Sequence, residues 1–163
     1  MWFRWHRRAT PIAYVLFVFR LFLKLTHTHK STAKNNLVGP VPSEIEVLED
    51  LQSFDVFRNG LTGPLPSLTN WTGLKLFDVE ENKFTGPAFV DTTGLDGLQS
   101  YRVSFNDLTG TVSTQLPGSL RELWFADNDL EGVLPTSIGN SPLLTSLIMD
   151  NSRRPGPVPS ALG

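Results

Sequence analysis

Asn59-Gly60-Leu61-Thr62-Gly63-Pro64-Leu65-Pro66 is the stretch whose reading decides the fold, because the chain keeps returning to it. Its Asn-x-Leu-x-Gly-x-Leu-Pro pattern stands also at Asn35 to Pro42, with Val41 in the second leucine place, and at Asn128 to Pro135, with looser copies from Asn82 (Phe84, Gly86) and Asn106 (Leu108, Gly110). The glycines Gly39, Gly63, Gly86, Gly110, Gly132 and Gly156 are separated by 24, 23, 24, 22 and 24 residues. A period in the twenties with fixed apolar positions describes a solenoid built of one supersecondary unit per repeat.

Working back from each asparagine, an apolar alternation recurs in register: Leu51-x-x-Phe54-x-Val56, Leu74-x-x-Phe77-x-Val79, Leu98-x-x-Tyr101-x-Val103, Leu120-x-x-Leu123-x-Phe125 and Leu144-x-x-Leu147-x-Met149. Period-two alternation is what a half-buried strand requires. On these residues the chain resembles the leucine-rich repeat family, and its Leu-x-Gly-x-Leu-Pro tail resembles the plant-type, 24-residue subclass seen in receptor-like kinase and receptor-like protein ectodomains. The resemblance runs from Asn35 to Gly163. It implies an α/β-type repeat solenoid, a curved horseshoe fragment of about five to six repeats with a parallel concave β-sheet. It also implies recognition of a protein, peptide or glycan ligand by a module of a cell-surface receptor-like protein.

Charge divides the chain in two. Residues 1–34 hold Arg4, Arg7, Arg8, Arg20, Lys24, Lys30 and Lys34 and no acid, whereas the remaining 7 basic and 16 acidic residues leave that part at −9. An acidic repeat domain has no basic stripe with which to neutralise phosphates, so nucleic acid is not an expected partner. The basic start followed by the apolar run Ile12 to Phe19 has the outline of a signal peptide or signal anchor, with residues 12–25 as a membrane contact. A secreted or membrane-anchored, cell-surface location is therefore expected, with a cytoplasmic one as the alternative. Residues 1–34 are read as leader and polar linker, and 35–163 as the repeat domain. That domain opens half-way through a repeat, since no apolar strand pattern precedes Asn35, and it closes in the irregular segment Ser152, Arg154, Gly156. With no cysteine present, it lacks the paired-cysteine caps that the resemblance implies and reads as uncapped at both ends. A truncated gene product without independent function is the corresponding alternative.

Asn59, Asn82, Asn106 and Asn128 stand where the chain leaves each strand. An asparagine there offers a donor and an acceptor to backbone groups that have left the sheet, so the four are expected to form a structural ladder. Asn70-Trp71-Thr72 is an N-glycosylation sequon. Between inward-facing core residues, alternate positions face outward on the concave sheet: Asp55, Asp78, Arg102, Trp124 and Ile148 make one column, and Phe57, Glu80, Ser104, Ala126 and Asp150 the next. Arg58, Glu81, Phe105 and Asp127 flank the second column. Phe57, Arg58, Asp78, Glu80, Glu81, Arg102, Phe105, Trp124 and Asp127 are the candidate ligand-binding residues, since aromatic and arginine anchors among polar groups suit a recognition patch. A structural cell-surface scaffold is the rival reading. A hydrolase using Asp78, Glu80 and Glu81 is a weaker one. No phosphate loop, nucleophile elbow, cofactor motif or metal motif accompanies these acids, so no enzyme activity, cofactor or metal is expected.

Overall fold

The apolar alternation places a short strand at the same point of every repeat. The computed structural model, which describes residues 29–150, shows these strands stacked in parallel. They are β1 (His29–Ser31), β3 (Ser53–Asp55), β5 (Leu76–Asp78), β7 (Ser100–Arg102), β9 (Glu122–Trp124) and β11 (Ser146–Ile148), hydrogen-bonded in that order. The register sets Phe54, Phe77, Tyr101, Leu123 and Leu147 side by side. Phe54 stacks on Phe77 at 5.6 Å between ring centroids and Phe77 on Tyr101 at 5.2 Å, while Trp71 closes on Phe54 at 5.3 Å. Such aromatic pairs add about 0.5–1.5 kcal/mol each beyond the area they bury.

The solenoid starts earlier than the sequence pattern indicates. Lys30 to Lys34, read as polar linker, belong to the first repeat. β1 pairs with β3, Thr32 N donates to Asp55 O at 2.8 Å, Lys34 N donates to Phe57 O at 2.7 Å, and Asn35 Nδ2 donates to Thr32 O at 2.8 Å. The pairing is made by backbone groups, which are indifferent to Lys30 standing in register with Phe54. The sequence expectations for Ile12 to Lys24 and for Ser152, Arg154 and Gly156 fall outside the described residues.

A second parallel sheet forms from segments that read only as turns: β2 (Val38–Pro40), β4 (Gly60–Gly63), β6 (Lys83–Pro87), β8 (Asp107–Gly110) and β10 (Asp129–Leu130). Its strands end at glycines such as Gly63 (φ 80°) and Gly110 (φ 88°), a backbone region that penalises any side chain. Among the described residues the return segments contain two 3-10 turns, Ser43–Val47 and Thr136–Asn140, and otherwise loops. In the irregular third repeat Phe89 fills the expected proline slot and packs on Tyr101 and edge-on to Phe125, each at 5.8 Å, and Tyr101 Oη donates to Ala88 O at 2.7 Å. Among the described residues no helix is long and apolar enough to cross a membrane.

Candidate ligand-recognition surface

The asparagines hold the concave sheet rigid. Asn106 Nδ2 donates to Val79 O of the preceding repeat at 3.0 Å and to Val103 O and Ser104 O of its own at 3.1 Å, while its Oδ1 accepts from Phe84 N at 2.9 Å. Asn82 and Asn128 repeat this pattern one turn either side, and Asn59 reaches back to Thr32 O at 3.0 Å. Each therefore ties its own turn to the one before. The residue preceding each ladder asparagine is left-handed, as is Lys34 before Asn35: Lys34, Arg58, Glu81, Phe105 and Asp127 have φ between 50° and 57°. Four of these are charged. Phe105 is not, and it is 52% exposed.

The first outward column is in register from Asp55 through Asp78, Arg102 and Trp124 to Ile148. Its centre is one connected cluster. The Arg102 guanidinium lies 4.2 Å from the Trp124 ring centroid, and its Nη2 and Nε donate to Glu122 Oε2 at 2.6 and 3.1 Å. Its Nη1 donates to Asp78 Oδ2 at 3.3 Å, and Trp124 Nε1 donates to Ser146 Oγ at 2.9 Å. Arg102 is thus a brace that fixes the indole and joins three strands. Glu122, two residues before Trp124 and so on the same face, is not among the candidates that the sequence pattern picks out. Ser100 Oγ and Arg102 hold its carboxyl below the usual range.

The acids on the neighbouring turn behave differently. Asp78 and Glu80 are both buried on the sheet. Desolvation, opposed by the Glu80 backbone N–H and reinforced by Asp55, raises the Asp78 pKa despite Arg102. Desolvation and then the Asp78 charge push Glu80 up to about 7. In contrast, Arg58 and Glu81 form an exposed pair at 3.4 Å, a geometry worth at most about 1 kcal/mol. Phe57 is half-buried with Lys34 Nζ 5.8 Å from its ring centroid, and Asp127 is half-buried at the far edge. Asn70 is exposed in the return segment between β4 and β5, where its Nδ2 donates to Glu46 O at 3.2 Å. Among the described residues no group of His, Cys, Asp and Glu could hold a metal ion.

Stacked parallel strands locked by an asparagine ladder, with one outward face carrying ordered aromatic and charged groups, define a parallel repeat solenoid. Residues 119–141 match the Leucine Rich Repeat family model. The chain is 36% identical over 115 residues to receptor-like protein 34 of Arabidopsis thaliana, covering 70% of this chain and 12% of that one. Among solved structures, that of a TDR receptor superposes with a TM-score of 0.81 at 32% identity, covering 88% of this chain and 26% of the other. The ectodomain of the Arabidopsis receptor kinase HAESA, in complex with an N-terminally extended IDA peptide hormone, superposes at 0.77 with 26% identity, covering 82% of this chain and 23% of the other. The chain is a leucine-rich repeat protein of the plant type, and it spans only a minor part of the length of these relatives.

Proposed function

We propose that this solenoid is a ligand-recognition module of a cell-surface, receptor-like protein, taking a protein, peptide or glycan ligand on its concave sheet around Trp124, Phe105 and the acids Asp78, Glu80 and Glu81. The observation that carries this is the Trp124–Arg102–Asp78–Glu122 cluster, in which an outward indole is held in one orientation before any ligand arrives. Preorganised aromatics are the usual anchors of binding energy, because no side-chain freedom remains to be lost on contact. The peptide-hormone complex named for the HAESA ectodomain supports the same class of ligand. Residues 12–25 act in this reading as the membrane contact of a secretory leader or anchor, and a glycan on Asn70 would occupy the return side, away from the concave sheet.

The test is kinetic. A partner isolated on the immobilised full chain should leave Trp124→Ala at least tenfold faster than the parent, a loss of about 1.4 kcal/mol or more. Equal dissociation from both proteins would move the site to the return loops or favour a scaffold.

A further inference from the structure

We propose that Asn59-Gly60 is a self-modification site. Its amide converts to aspartate or isoaspartate when the first turn of the solenoid, residues 29–40, lifts off the second, and the conversion makes that release irreversible. The chemistry needs no ligand, enzyme or cofactor.

Asn59-Gly60 is the one Asn-Gly pair in the sequence; the other ladder asparagines are followed by Lys83, Asp107 and Asp129. Packing explains the exception. A Cβ at Gly60 would stand 3.0 Å from Val38 Cγ1 and 3.2 Å from Leu37 O, tighter than ordinary contact. The first turn therefore seats against bare backbone, and this close approach puts glycine directly after a ladder asparagine. The pair is chemically labile, because no side chain hinders the Gly60 nitrogen from reaching the Asn59 side-chain carbonyl carbon. That nitrogen gives up its proton to hydroxide and bonds to Cγ. The Cγ–Nδ2 bond breaks, and Nδ2 takes a proton from water and leaves as ammonia. Water then opens the succinimide at one carbonyl or the other, giving aspartate or isoaspartate.

In the closed solenoid the first turn holds both reacting groups. Leu37 N donates to Asn59 Oδ1 at 3.1 Å, and Gly60 N donates to Leu37 O at 2.7 Å. One backbone residue thus fixes the electrophile and occupies the proton that the nucleophile must lose. Asn59 Nδ2 is held as well, donating to Thr32 O at 3.0 Å and, in its own turn, to Val56 O at 2.9 Å and Phe57 O at 3.3 Å. Attack requires the bonds to Leu37 and Thr32 to break together. The first turn is the place where they can. Its strand, His29-Lys30-Ser31, brings no apolar residue, so the turn is seated by backbone bonds and by Leu37, which is 1% exposed. Turns of a solenoid touch only their neighbours, and a lightly anchored one opens without the rest. Asn59 is half-buried, whereas Asn82, Asn106 and Asn128 are buried.

The product cannot close again. An ionised carboxylate only accepts hydrogen bonds. At position 59 it would face the oxygens of Thr32, Val56 and Phe57, so three donated bonds give way to repulsion between acceptors. Isoaspartate in addition lengthens the backbone between β3 and β4. The first turn stays off, and the edges of β3 and β4 that it covered remain open.

The experiment ages the full chain at pH 8 and follows conversion at Asn59 by peptide mapping and mass spectrometry, in the parent, in Leu37→Ala, in Ile138→Ala and in the parent unfolded by urea. Conversion in the folded parent should run at least about tenfold slower than in urea, since only the open fraction reacts. Leu37→Ala loosens the first turn and should speed conversion several-fold. Ile138 is equally buried but lies at the far end, and Ile138→Ala should leave the rate unchanged. Equal rates with and without urea, no acceleration in Leu37→Ala, or equal acceleration in both variants would each overturn the local control of the site. The second arm measures amide hydrogen exchange in Asn59→Asp. Thr32 and Lys34, whose N–H groups donate to Asp55 O and Phe57 O, should exchange at least about tenfold faster than in the parent. Val79 and Val103, bonded to later turns, should keep the parent's protection. Parent-like exchange at Thr32 and Lys34, or loss of protection at all four, would overturn the irreversible release of the first turn.

Discussion

Asn106 satisfies three carbonyl groups and one N–H with a single side chain, and all of these lie inside the solenoid. Truncation strands buried polar groups at about 1–3 kcal/mol apiece. Asn106→Ala should therefore melt well below the parent, whereas Asn36→Ala, an exposed position in the first repeat, should melt with it. Equal melting of the two variants would refute the ladder's energetic role. Phe105 poses the opposite case. A bulky residue at φ 56° that leaves half its surface in water gains little from folding. Phe105→Gly relieves the backbone, so its melting temperature should hold or rise, by up to about 1 kcal/mol of stability. If Phe105 serves recognition, the same change weakens ligand binding. A clear loss of stability in this variant would show that Phe105 serves packing instead.

At the scale of elements, β1 explains both what the sequence pattern reveals and where it goes silent. A strand is legible when one face is apolar, as in Phe54-x-Val56 or Leu123-x-Phe125. His29-Lys30-Ser31 has no such face, and it joins the sheet through backbone hydrogen bonds at the edge of β3. A chain beginning at residue 35 loses this pairing and also the Asn59 bond to Thr32. It should melt lower than one beginning at residue 29, and equal thermal midpoints would show the first strand to be dispensable. The second sheet is hidden for a related reason: Asn-x-Leu-x-Gly is too short and too rich in turn residues to advertise a strand. Its strands exist because each turn sets the same segment beside its neighbour, as β4 lies between β2 and β6.

For the whole molecule, the buried acids make stability depend on pH in an unusual direction. Glu80 titrates near 4.5 when unfolded and at about 7 when folded. Between those values the folded chain binds the extra proton, so this contribution is fully present at low pH and is lost as pH rises through about 7. The shift is worth roughly 3 kcal/mol, and the raised pKa of Asp78 acts in the same sense. Urea denaturation at pH 5 and pH 8 should show the parent weaker at pH 8, with a smaller difference in Glu80→Gln. An unchanged difference in that variant would place the slope elsewhere.

The repeat period, the positions of the five apolar strands from β3 to β11 and the register of the outward columns follow from the sequence alone, because a solenoid maps chain order directly onto space. That register by itself puts Arg102 and Trp124 side by side. What the register cannot carry is how neighbouring side chains divide their bonds. Arg102 reads as a guanidinium available to a ligand. In the folded chain it is instead stacked on Trp124 and shared between Asp78 and Glu122, a residue to which the repeat pattern gives no prominence. Likewise Glu80 reads as one of three outward candidate acids with Asp78 and Glu81, and only the packing of its neighbours makes it a buried one. Charge pairing and desolvation depend on distances of a few ångströms among residues twenty or more positions apart, and those distances exist only once the turns have stacked.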